Sequence, residues 1–188
     1  MNLPTSYDRF SQILHWVMAV IIIYATIAGY VMHLVIDSDK ELFYALSIVN
    51  MSLATVGTIL FVVRWLWSYF RPAVKAVQHN NMTEANVAHF MHALLYFLMF
   101  IVFISGYLML ENPYTFFWLF SIDNMVEDLA INQFFFMVHR VGCVVLAGSV
   151  VLHILAACYH HFVRKNNLFD RMTKSNKYLK MMQYDQNI

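Results

Sequence analysis

Charge is what this chain has least of. Only 12% of its 188 residues are Asp, Glu, Lys or Arg, about half the share of a soluble domain. With 61% of residues hydrophobic and 16% aromatic, the chain is expected to be one integral membrane unit spanning residues 1–188. The net charge is only +1, so no basic surplus argues for a nucleic-acid partner. Cysteine is scarce too. Cys143 and Cys158 fall in one apolar run, too far apart on a helix to bridge each other, and they read as small packing residues. The three prolines, Pro4, Pro72 and Pro113, all flank apolar runs, where a helix breaker belongs. The five glycines all lie inside such runs, so no glycine loop is available to cradle a phosphate. There they allow close helix approach, or room for a flat macrocycle. No zinc spacing, nucleophile motif, internal repeat or low-complexity segment is present. The N-terminus lacks the basic start and small-residue cleavage site of a signal peptide, so the first apolar run is expected to stay as an anchor.

What the chain does have is four long apolar runs, at about residues 10–34, 42–69, 87–110 and 134–161, followed by a polar tail from 164 to 188. Each is long enough to cross a bilayer, which takes about 20 residues. The expected architecture is all-α, an integral membrane four-helix bundle with both termini on one side. Arg64, Arg71 and Lys75 flank the second loop, and Arg164, Lys165, Arg171, Lys174, Lys177 and Lys180 lie in the tail. The first loop is mostly acidic, and the third holds Glu111, Asp123, Glu127 and Asp128 without a basic residue. This asymmetry predicts N- and C-termini in the cytoplasm. The third loop, 111–132, is long and aromatic. It is expected to place an interfacial belt, and a short surface helix, over the outer end.

Histidine carries the chemistry. His139 and His153 lie fourteen residues apart in the fourth span, nearly four full turns, so they share a face about 21 Å apart. Ionisable rings inside a membrane span point to function. Two of them at opposite depths suggest two haem irons stacked across the membrane, against the plainer reading of hydrogen bonds between helices. His15, at the start of the first span, matches His153 in depth, and two imidazoles can clamp one iron as axial ligands. His33 shares a face with His15 but lies about 27 Å from it along the axis, roughly a turn out of step with His139. His89 and His92, three apart, suit contacts to haem propionates or quinone, or plain interfacial positions. Arg64 and Arg140 suit propionate or quinone contacts. His160 and His161 close the fourth span, and His79 has no assigned role.

The pieces Tyr7-Asp8-Arg9-Phe10 before His15-Trp16, Val62-Val63-Arg64, His89-x-x-His92-x-x-x-Tyr96, Ser105-Gly106-Tyr107, His139-x-x-Gly142, His153, His160-His161-Phe162 and Asp170-Arg171-Met172 occur in this order. Together they resemble the bacterial cytochrome b561 family, over nearly the whole chain. The resemblance implies a multi-pass protein of the bacterial inner membrane that binds two b haems and exchanges electrons with ubiquinone. It makes His15 and His153 the ligands of the inner haem iron and His139 a ligand of the outer one. The second outer ligand is expected fourteen residues before the arginine, in a His-x-Ser-x-Gly pattern, where this chain has Asn50, Ser52 and Ala54. The outer site is then five-coordinate, borrows His33 or Met51, or is empty. Some family members oxidise superoxide at the outer haem, and others pass electrons between quinone and periplasmic redox partners. Three functions are carried forward: an electron-transfer cytochrome, extending to a superoxide:ubiquinone oxidoreductase; a haem-binding anchor subunit of a larger redox complex; and a haem-poor member without its outer site. A homodimer is left open.

Overall fold

The computed structural model describes residues 4–74, 82–165 and 169–174. Lys75, His79, Lys177 and Lys180 lie outside these residues. Four long helices, α1 (Arg9–Val35), α2 (Lys40–Phe70), α3 (Met82–Leu108) and α4 (Leu129–Phe162), run up and down. All four are long and apolar enough to cross a membrane. α1, α2 and α4 extend beyond their expected runs at both ends, whereas α3 starts five residues before its run and stops two residues short of its end. Their starts are chemically marked. Asp8 accepts from Ser11 N, Asp39 from Leu42 N, and Asp128 from Ala130 N and Ile131 N, each covering backbone donors that a helix N-terminus leaves unpaired. At most 28% of any span's most apolar stretch is buried inside the protein, the maximum being in α2. Val20, Ile27, Val144 and Val151 are among the many exposed apolar side chains, as a lipid-facing surface requires.

The helices pack as two hairpins. α1 lies along α2 and α3 along α4, whereas contacts between the two hairpins are sparse. Gly142 lets α3 and α4 close up, since a Cβ there would sit 3.2 Å from Val102 Cγ2. Where the hairpins meet, a small core forms from Met18, Phe61, Leu98, Met99 and Leu146, drawn from all four helices.

The third loop differs from expectation. Its only regular structure among the described residues is an antiparallel hairpin, β1 (Tyr114–Phe116) with β2 (Phe120–Ile122), not a surface helix. Tyr, Thr, Phe and Ile favour extended backbone, and the cross-strand pair Phe116–Phe120 stacks at 5.2 Å. The turn uses Phe117 and Trp118 at φ 42° and 61°, the left-handed pair that suits hairpin twist but that bulky residues adopt at a cost. Two bonds to α2 hold the hairpin. Phe117 N–H donates to Ser52 Oγ at 2.8 Å, and Thr55 Oγ1 meets the Tyr114 hydroxyl at 2.7 Å. Burial pushes the Tyr114 phenol above its ordinary pKa, against the opposing pull of Thr55. Beneath the hairpin, the fully buried Asn132 donates to the carbonyls of Leu108 and Leu110 at 3.0 and 2.8 Å. It thereby closes the C-terminus of α3 against the start of α4.

The opposite end is tied by the termini. The Trp67 indole donates to Ser11 Oγ at 3.1 Å, and Phe10 packs edge-on against Trp67. A one-turn helix, α5 (Asp170–Thr173), lies under α1. Its backbone carbonyls accept from Tyr7 N, the Gln12 amide and the Trp16 indole. Arg164 forms an ion pair with Glu84, joining the segment after α4 to the start of α3. Below, this is called the terminal end, and the other the hairpin end.

Candidate functional site

A seven-residue step on an α-helix turns through nearly two full circles and rises about 10 Å. Three helices use that step twice. α2 carries Asn50, Gly57 and Arg64; α3 carries His92, Met99 and Gly106; α4 carries His139, Leu146 and His153. The middle members lie in the core. Met99 and Leu146 are buried, and a Cβ on Gly57 would press on Ile21 and Phe103 at 3.2 and 3.3 Å. The outer members form two polar layers, one toward each end of the bundle, with an apolar plug between them.

The terminal layer draws on all four helices. Arg64 Nη2 lies 3.4 Å from Nδ1 of His15, on α1, and Arg64 Nε donates to the Tyr96 hydroxyl at 3.0 Å. The His92 ring sits 5.4 Å from that of His153, edge to face. His15 is within electrostatic range of Arg64, His153 and His92. His92 Nδ1 lies 2.7 Å from the Ala88 carbonyl. A carbonyl only accepts, so that nitrogen carries the proton and Nε2 keeps its lone pair. His89 is exposed and stands outside this group. His160 is half-buried, and His161 packs on Phe169 at 5.4 Å. Two half-buried imidazoles on α1 and α4, at one depth across the sparse seam, form a donor set that fits a six-coordinate haem iron.

The hairpin-end layer is built differently. His139 Nδ1 donates to the Val102 carbonyl at 2.9 Å, with Ser105 Oγ at 3.3 Å. This fixes the tautomer and leaves the Nε2 lone pair toward Cys143 Sγ, 3.4 Å away. A backbone partner on one nitrogen and a lone pair on the other is how axial histidines are commonly oriented. Gly106 lies under the ring, where a Cβ would come within 3.1 Å of His139 Cε1. The α2 member is Asn50, whose Oδ1 is buried and has no hydrogen-bond partner. Met51 beside it is buried. His33 is exposed in the last turn of α1, and Arg140 is exposed on α4. Neither is brought to His139. This layer fits a group held by one imidazole and does not fit one clamped by two.

Several residues of the quoted motifs prove to be architectural. Tyr7, Asp8, Arg171 and Met172 build the terminal tie, with the Arg71 guanidinium 4.7 Å from the centroid of the Tyr7 ring. Burial alone would raise the pKa of the Asp8 carboxyl, but hydrogen bonds from Ser11, with Trp67 and the backbone, together hold it below its ordinary value. The roles of Asn132 and Ser52 were missed, because nothing in sequence spacing links either side chain to a distant backbone group.

Four apolar helices long enough to cross a membrane, with imidazoles layered at two depths, suit a membrane cytochrome of the b type. The profile of prokaryotic cytochrome b561 matches residues 6–175, and the chain belongs to that family. That match runs from the segment before α1 through the terminal tie. No curated protein matches the chain closely enough to count as a relative.

Proposed function

We propose that this membrane b-type electron-transfer cytochrome has its working centre in a haem b at the terminal end, held by His15 and His153, and that it exchanges electrons with ubiquinone there. The observation that carries this reading is the convergence of His15, Arg64, His92 and His153 from four different helices. The haem supplies one-electron redox chemistry at its iron. The protein supplies the rest. Arg64, bonded to Tyr96 through Nε, places a positive charge beside His15, and turning its Nη2 toward a propionate carboxylate would neutralise that group. His92 has its Nε2 lone pair free beside His153 and is exposed, so it can hydrogen-bond a quinol hydroxyl and take its proton as the electron leaves. The Lys and Arg of the second loop's flanks and of the tail support a reading in which the termini are cytoplasmic and this site lies near the cytoplasmic face of a bacterial inner membrane.

The test is quinol reduction of the purified protein followed in the haem absorption bands. His92→Ala is expected to slow reduction by about tenfold or more while leaving haem content unchanged. Unaltered kinetics in His92→Ala and Arg64→Gln would place quinone elsewhere.

A further inference from the structure

Two ligands on one iron must stay a fixed distance apart, yet the helices that carry them, α1 and α4, touch only sparsely. Other bonds at the terminal end join different pairs. Trp67 to Ser11 holds α2 to α1, and Arg164 to Glu84 holds α4 to α3. α5 reaches both ligand helices. Phe169, at its start, stands against Trp16 of α1 at 6.0 Å and against His161 of α4 at 5.4 Å. The Trp16 indole N–H donates to the Met172 carbonyl at 3.0 Å. The Gln12 amide donates to the carbonyls of Arg171 and Lys174, each at 3.1 Å. α5 is itself braced, since the buried Asp170 pairs with Lys174 at 3.1 Å. Trp16 follows His15 in the chain, and their rings meet edge to face at 5.5 Å. His161 lies eight residues beyond His153, about 12 Å further along α4. A run of rings, His15, Trp16, Phe169 and His161, bridges from one ligand to the helix of the other.

We propose that α5 is a strap that sets the separation of His15 and His153, and that Trp16 is a positioning residue for the clamp. This rests on the His15–His153 haem reading above. Trp16 acts through two different groups. Its ring packs on His15, and edge-to-face packing favours one relative orientation of two rings. Its N–H ties α1 to the strap. Groups that orient a ligating histidine control how firmly the metal is held. A strap that fits best when α1 and α4 stand at the clamped spacing stabilises bound haem, and bound haem stabilises the strap, because such coupling is reciprocal. A tail that only fastened the chain end would show no coupling.

The experiment uses the oxidised, full-length holoprotein in detergent. It reads the rate of haem loss to an excess of a haem-scavenging protein, and the spread of low-spin g values in electron paramagnetic resonance, which reports the angle between the axial ring planes. It also reads amide exchange at Met172 and Lys174, whose N–H groups bond within the strap. Trp16→Phe keeps a ring against His15 and removes the N–H. It is expected to speed haem loss about fivefold, the effect of one hydrogen bond, with the g spread unchanged. Trp16→Leu removes the ring as well and should also shift the g spread. Gln12→Leu loosens the strap without altering the neighbour of His15. It should speed haem loss about fivefold or more, again with the g spread unchanged. In the other direction, His153→Ala should raise exchange at Met172 and Lys174 about fivefold. Haem loss at the unaltered rate in both Trp16→Phe and Gln12→Leu would overturn the strap, and so would unchanged protection of Met172 and Lys174 in His153→Ala. An unshifted g spread in Trp16→Leu would overturn the role of the ring. A missing bis-imidazole signal in the unaltered protein is a separate result, the failure of the clamp itself.

Discussion

A histidine does different work according to what its second nitrogen touches. His139 gives Nδ1 to a backbone carbonyl and so presents Nε2. His92 does the same through Ala88. His15 instead has an arginine 3.4 Å from Nδ1. Arginine cannot accept, so Arg64 must turn toward a carboxylate before His15 Nδ1 can carry the proton that frees Nε2. Asn132 shows the same logic for structure. It is 1% exposed and bonds the carbonyls of Leu108, the last residue of α3, and of Leu110 just beyond it. Asn132→Leu keeps the branched shape, removes the donor and strands those acceptors. The expected loss is about 2 kcal/mol or more, read as a lowered unfolding temperature in detergent with unchanged haem spectra. An unfolding temperature equal to the unaltered protein's would show that the carbonyls find other partners.

Among the elements, the four spans were legible in the sequence because their signal is summed over more than 20 residues of unbroken hydropathy. The hairpin was not. Its strands are three residues each, too short for a period of two to stand out. The aromatics that build it also fit an interfacial helix. Its anchor, Ser52, reads in sequence as one more small residue in a span. In the structure it is fully buried, donating to Ile48 O at 2.7 Å and accepting from Phe117. Ser52→Ala is therefore expected to leave the bundle intact and release the hairpin. Amide exchange at residues 114–122 should rise about tenfold for a loss of about 1.4 kcal/mol. Protection equal to the unaltered protein's would mean that Tyr114 and Thr55 suffice.

On the scale of the whole molecule, two helical hairpins meet through an apolar plug with a polar layer at each end. The plug's Leu146 stands seven residues from both His139 and His153, about 10 Å from each along the axis. The histidine spacing made the two depths readable from sequence. Arg64 beside His15, and the termini tied under α1, depend on how separate helices turn about their axes, which sequence periodicity in one helix does not specify. Topology is open to a direct check. Reporter fusions after residue 174 should be active only in a cytoplasm-requiring assay, and activity only of a periplasm-requiring reporter would invert both layers. The account's central claim is that α1 and α4 clamp one haem iron at the terminal end. Near-infrared magnetic circular dichroism of the oxidised protein tests it most directly, because the low-spin charge-transfer band reports both axial ligands. The account predicts a bis-imidazole band that disappears in His15→Ala and in His153→Ala while the helical content is kept. A bis-imidazole band of full intensity in both variants would contradict it.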